Sequence, residues 1–219
     1  MIRTAITLVA ALPLIVLGQQ PVPRFIYVYR DSLRSGVDSA YRSIENDGAQ
    51  ICADLQCPNP YIGLESLEGS HEAWWINTFA SEADTARVAK VYGTDSALSR
   101  ALGSVAQRKA ALIGTPVQGF AVYRADLSRG QAWSLAGARF LVATVTRANR
   151  PATGSVWAMS DSTRYILRTF RTRREADAAA RVDGGRVFAV RPNWSMPAAE
   201  WVQADREFWK TAPVRKPRP

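Results

Sequence analysis

Residues 72–88 read E-A-W-W-I-N-T-F-A-S-E-A-D-T-A-R-V, an apolar strand-like run feeding straight into an Ala-rich helix. The same order returns at residues 163–182, T-R-Y-I-L-R-T-F-R-T-R-R-E-A-D-A-A-A-R-V. Asn77-Thr78-Phe79 aligns with Arg168-Thr169-Phe170, Glu82-Ala83-Asp84 with Glu175-Ala176-Asp177, and further on Phe120-Ala121-Val122 with Phe188-Ala189-Val190. Three matches in one order predict two copies of one supersecondary unit. Each strand can bury its apolar face only against a further layer, so the chain is expected to be α+β.

The flanking segments complete the two units. Residues 25–30 (F-I-Y-V-Y-R) predict a first strand, and residues 31–56 a helix broken or capped near Asp47-Gly48. Strands follow over 61–68 and 71–79. Ser81 then caps a helix, with Glu82 and Asp84 in its first turn. Thr94-Asp95 open a second helical segment to about residue 112, and 117–124 is a fourth strand. The second unit predicts strands at 138–147, 155–159, 164–170 and 186–192, and a helix at 173–182. Only 148–154 separate its first two strands, too short for a helix, so this copy is abridged. The expected architecture is two fused ferredoxin-like (split βαβ) halves with antiparallel sheets, 19–128 and 129–209, the second ending in a strap anchored by Trp201 and Trp209.

The termini read differently. Residues 1–18 carry Arg3 ahead of a short uncharged run, the pattern of a secretory signal rather than a membrane span, although an uncleaved anchor would look the same. A periplasmic or secreted location is expected, with no membrane association after cleavage. Cys52 and Cys57, the only cysteines, are then expected to form a disulfide, provided the helix frays enough to bring their Cα atoms together. Net charge is +9, of which the tail 210–219 carries +4; its alternating prolines predict disorder. Residues 24–128 balance at −2 and 129–209 at +6. With no nucleic-acid motif, the basic balance does not indicate nucleic acid.

The element order, H-E-x-W-W in the third strand and E-A-D opening the next helix resemble the dimeric α/β-barrel superfamily, including antibiotic-biosynthesis monooxygenase-like and NIPSNAP-like domains. The resemblance spans about residues 24–192. It implies two sheets facing each other across a cavity, supplied here by a tandem fusion in one chain, as a monomer or a homodimer. It does not select a chemistry, because the superfamily includes cofactor-free oxygenases, haem enzymes, lyases and proteins without known activity.

Period-two reading of the strands separates two faces. Trp74, Ile76, Tyr165, Leu167, Phe120, Val122, Phe188 and Val190 form an apolar set expected to meet the helices. Tyr27, Tyr29, His71, Trp75, Asn77, Tyr123, Arg164, Arg168 and Arg191 lie on the opposite face and are expected to line the interior. His71, the only histidine, would serve as a base, since an unperturbed imidazole titrates near ~6.5, or as an axial haem ligand; a histidine bonded to a turn at a strand start reads the same. No other cofactor is expected. Glu65 and Glu72 could form a carboxylate pair or be held by arginines. The aromatics would wall a flat ligand or simply pack. The three arginines would hold an anionic group, or pair with acids of the first half. With no phosphate loop, dinucleotide fingerprint or metal-binding motif, three classes stay open: a binder of a small anionic or aromatic molecule, a cofactor-independent oxygenase-like or lyase-like enzyme, and an interaction protein using the basic half and tail.

Overall fold

A computed structural model describes residues 22–130 and 133–215. The fold is α+β, built on a closed barrel of eight antiparallel strands. In chain order the first part is β1 (Phe25–Ser32), α1 (Asp38–Asp54), β2 (Tyr61–Ser66), β3 (Glu72–Phe79), α2 (Glu82–Thr94), α3 (Ser96–Lys109) and β4 (Val117–Tyr123). A short strand β5 (Ser128–Arg129) leads to β6 (Phe140–Thr146), and β7 (Ala152–Thr153) pairs in parallel with β5. Then come β8 (Ser155–Met159), β9 (Arg164–Phe170), α4 (Arg173–Asp183), β10 (Arg186–Met196), α5 (Ala199–Ala204) and α6 (Arg206–Trp209). Around the barrel the order is β1-β3-β2-β10-β6-β9-β8-β4, closed by pairing of β4 with β1. Each set of four barrel strands therefore lies in the order fourth, first, third, second, and the sets join at β2–β10 and β4–β8.

Local sequence explains the helix starts. The Ser81 hydroxyl accepts the Asp84 amide, the Asp95 carboxylate accepts the amides of Ala97 and Leu98, and Thr172 with Glu175 forms a reciprocal capping box. Helix α1 ends at Asp54, and Gln56 takes a left-handed φ of 55° that turns the chain back. This brings Cys57 to a Cα–Cα distance of 4.7 Å from Cys52, to which it is disulfide-bonded.

The barrel interior corrects the assignment of faces. Trp74 on β3 meets Tyr165 on β9, centroids 5.8 Å apart, and Phe188 on β10 at 4.8 Å. These strands are not neighbours in the sheet, so the contacts cross the barrel. Ile26, Val28, Ile62, Leu64, Ile76 and Leu167 fill the same space, all at most 1 % exposed. The apolar set of β3, β9 and β10 thus points inward, because the inside of a small barrel holds side chains and offers almost no polar partners. Nor do the two F-A-V runs match in phase. Phe188 is fully buried inside, whereas Phe120 and Val122 point outward, 45 % and 41 % exposed, and Ala121 points in. Among the described residues, buried side chains occupy the space between the facing strands, in place of the cavity expected from sequence.

The two ends of the barrel differ. Where β1 begins, Trp133, Leu135, Trp201 and Trp209 join the interior cluster, and Arg139 holds Asp205 at 2.8 Å. Where β1 ends, Glu72 accepts from Arg186 at 2.7 Å, Arg30 at 3.3 Å and the Trp74 indole at 2.7 Å. Strand β10 runs on through Met196, past the expected end at 192, with its register broken between Arg191 and Met196. Inside the break the Ser195 hydroxyl accepts the Gly63 amide at 2.9 Å, replacing a ladder partner. A Cβ at Gly63 would come within 2.6 Å of Trp194 Cβ, so only glycine permits this approach. The expected disorder of the tail does not hold over 210–215. Ala212 is buried, and the Arg215 guanidinium donates to the Cys57 carbonyl at 3.1 Å. The expected signal, 1–18, and residues 216–219 lie outside the described residues.

Candidate functional site

Helices α1, α2 and α3 cover the outer face of β4, β1, β3 and β2, and between the two layers is a cavity of about 550 Å³. That lies within the roughly 300–1,000 Å³ usual for small-molecule sites. The strand registers order its floor. Asn77 sits opposite Tyr27 and Tyr61; two residues along, Trp75 sits opposite Tyr29; two further, Ala73 sits opposite Asp31. At about 3.3 Å per residue this places Asp31 roughly 13 Å along the strands from Asn77, just behind the charged end of the floor.

At the first end Asn59 Nδ2 donates to Asn77 Oδ1 at 2.5 Å, and the Tyr27 hydroxyl donates to Gln118 at 2.8 Å. Asn59 Oδ1 is buried without a protein partner. The middle is aromatic: Tyr29 and Trp75 meet edge to face at 5.8 Å, and Tyr41 and Trp194 back them. At the other end, the last residue of α3, Lys109, puts its ammonium 2.8 Å from Asp31 and 3.1 Å from Glu45. The same ammonium stands 4.6 Å from the Trp75 ring centre and 4.8 Å from that of Tyr29, a cation–π arrangement. Asp31 also accepts the Tyr41 hydroxyl at 2.7 Å.

The electrostatics follow from burial opposed by pairing. Burial raises the Glu45 carboxyl above the usual range, and the opposing pull of Lys109 does not restore it. For Lys109 burial works against the charged form, but Glu45 and Asp31 outweigh it and hold the ammonium above its ordinary pKa. Burial raises Tyr41 strongly, aided by Glu45 and Asp31, so this phenol remains a hydrogen donor.

Four of the residues expected from sequence, Tyr27, Tyr29, Trp75 and Asn77, come together here, beneath the helices and not between sheets. The others stand apart from the cavity. His71 precedes β3, its side chain 66 % exposed, with Nδ1 2.8 Å from Asp38. Tyr123 packs beside Trp157 against the interior cluster. Arg191 pairs with Glu65, which also holds Arg42 at 2.7 Å. Arg168 pairs with Asp183 at 2.5 Å and donates to the Ala179 carbonyl. Arg164 donates to the carbonyls of Arg147 and Ser162. Glu65 and Glu72 are each held by arginines rather than by one another. Burial alone would raise Glu72, yet Arg186, Trp74 and Arg30 hold its carboxyl below the usual range.

Glu45 and Lys109 escaped the strand-based reading. A signal for both exists: Tyr41, Glu45, Ala49 and Cys52 make one stripe of α1, and Leu98, Leu102, Val105 and Lys109 one stripe of α3. A lone acid in one apolar stripe and a lone base in the other mark a buried pair. Among the described residues no cluster of His, Cys, Asp and Glu could hold a metal ion, and no helix is long and apolar enough to cross a membrane.

No family model and no curated protein matches the chain. Among solved structures, a "Putative monooxygenase" from Fusobacterium nucleatum aligns with a TM-score of 0.41 and 11% identity, over 81% of this chain and 94% of that one. A second, from Lactobacillus acidophilus, aligns with a TM-score of 0.40 and 8% identity, over 84% and 89%. At these values neither likeness bears on what the chain does.

Proposed function

We propose that this protein binds a flat, aromatic small molecule in the cavity between α1–α3 and the barrel wall. One observation carries the reading: about 550 Å³ of space over a floor of Tyr27, Tyr29, Trp75 and Asn77, with hydrogen-bonding groups at both ends. An aromatic body would lie along Tyr29 and Trp75, and its polar substituents would meet Asn59 and Asn77 at one end and Lys109 and Glu45 at the other. An anion-holding role for Arg164, Arg168 and Arg191 forms no part of this reading, since their protein partners lie elsewhere. Export to the periplasm or beyond is part of it, supported by the Cys52–Cys57 bridge, a bond that persists in oxidising compartments.

A second reading, a cofactor-independent oxygenase-like or lyase-like enzyme, is favoured by the buried Glu45–Lys109 pair, because shifted pKa values in a cleft concentrate at catalytic sites.

Thermal-shift screening of hydroxylated aromatics against aliphatic acids tests the binding. A ligand at a hundred times its Kd stabilises by about 2.7 kcal/mol. The aromatics should give a saturable shift that survives Arg168→Ala and weakens in Asn77→Ala. No shift with any aromatic, or the reverse pattern in the variants, would overturn the proposal.

A further inference from the structure

The charged end of the cavity carries one cation and two carboxylates, and the two carboxylates are not equivalent. Asp31 is fully buried, is fixed by both Lys109 and the Tyr41 hydroxyl, and does not border the cavity. Glu45 is 6 % exposed and does border it. One ammonium is neutralised by one carboxylate. Asp31, behind the wall, is the counter-ion of Lys109, and Glu45 is the surplus acid that borders the space.

We propose that Glu45 acts as a general base, taking a proton from a C–H or O–H acid of the ligand bound in this cavity, an inference that rests on the ligand-binding reading above. In the step the ligand's C–H or O–H bond breaks and an O–H bond forms on the Glu45 carboxylate. The electron pair stays on the ligand, which becomes an enolate, phenolate or carbanion. The cluster begins at one negative charge and ends neutral, so the charge moves to the ligand and no oxidant or reductant is involved.

Three features of the surroundings support this assignment. The groups facing Glu45 are Lys109 from α3, Asp31 and Tyr29 from β1, Tyr61 from β2 and Tyr41 on its own helix. The four that are not carboxylates are hydrogen donors, so Glu45 is the one proton acceptor of the group that borders the cavity. Burial strengthens it as a base relative to a solvated glutamate. Lys109 is held protonated, so it does not compete for the proton and instead stabilises the anion that forms. At the far end, the unpartnered Asn59 Oδ1, on a residue 4 % exposed, offers an acceptor to a ligand donor and would orient the acidic hydrogen toward Glu45.

The test uses the full chain and 5-nitrobenzisoxazole, a flat bicyclic carbon acid. Removal of its ring C–H proton opens the N–O bond and releases a coloured nitrophenolate. The wild type should catalyse this saturably, with a rate rising with pH through an apparent pKa above that of ordinary glutamate. Glu45→Gln should lose about 100-fold, the lower bound for a positioned base. Glu45→Asp should retain part of the rate. Binding of the unreactive analogue nitrobenzotriazole, followed by tryptophan fluorescence, separates the two levels of the argument. Saturable binding of the analogue with a rate no faster than that of free acetate overturns the assignment and leaves the binding reading intact. So does a wild-type rate in a folded Glu45→Gln that binds the analogue. If neither this analogue nor any aromatic of the thermal-shift panel binds saturably, both fall. Should Glu45→Gln fail to fold, the pH profile of the wild type alone decides, since a pH-independent rate is incompatible with a titrating carboxylate base.

Discussion

Replacing Lys109 with methionine keeps the length and most of the volume of the side chain and removes only its charge. In the wild type the ammonium is shared by Asp31, at 0 % exposure, and Glu45, at 6 %. Without it two nearly buried carboxylates face one another with no cation between them. Removing one partner from a buried ion pair costs about 3–5 kcal/mol, and for a chain of this size each kcal/mol lowers Tm by roughly 2–4 °C, so the loss should be about 6–20 °C at pH 7. The sign of its pH dependence is fixed. In the variant, burial and the neighbouring Asp31 raise the Glu45 carboxyl above its unfolded value with no Lys109 to oppose them. Stability is then fully present below the unfolded pKa and is lost as pH rises through the folded pKa. The deficit relative to wild type should therefore shrink toward about 1–2 kcal/mol, the cost of the lost hydrogen bonds, as pH falls to ~4. Urea unfolding at the two pH values measures this. A variant within about 1 kcal/mol of wild type at pH 7, or a deficit equal at both pH values, would refute the description of a buried, interdependent cluster.

Two further predictions concern the framework. Trp74→Ala should cost about 3–5 kcal/mol because it empties the middle of the barrel, whereas Phe120→Ala, at a side chain 45 % exposed, should stay within roughly 1 kcal/mol; denaturant melts showing equal costs would contradict the inward and outward assignment. Reducing Cys52–Cys57, which closes a short loop, should lower stability by about 2 kcal/mol. Intact mass with and without reductant and alkylation checks the bridge, and the same spectrum reads whether 1–18 have been removed.

What the sequence determined by itself was the series of elements. The cap at Ser81, the opening at Thr94-Asp95, the abridged connection at 148–154 and the β-rich runs placed the helices and strands, because hydrogen bonding within a turn and the period of apolar residues are local properties. The alternation of faces along β1, β3 and β9 was equally legible, and it set Tyr27, Tyr29, Trp75 and Asn77 on one face. Which face turns inward was not legible. Both sides of these strands are covered, one by the opposite barrel wall and the other by helices, α1–α3 over β1 and β3 and α4 over β9, so the outer face of β3 is nearly as buried as the inner: Trp75 is 9 % exposed and Trp74 0 %. Only closure through β4–β1 and β2–β10 decides the matter, by leaving the inside without polar partners and giving the polar aromatics to the layer where hydrogen-bonding side chains from helices can reach them. The arginines show the same division. Their charge was plain in the sequence, but Asp183 reaches Arg168 from the end of the next helix and Glu65 reaches Arg191 across 126 positions, and only the packed fold brings each pair together. The Lys109–Asp31–Glu45 cluster joins the end of one helix, the end of a strand and the middle of another helix, separated by as many as 78 positions. No local pattern fixes contacts of that range; the tertiary structure brings the three together and turns Glu45 alone toward the cavity.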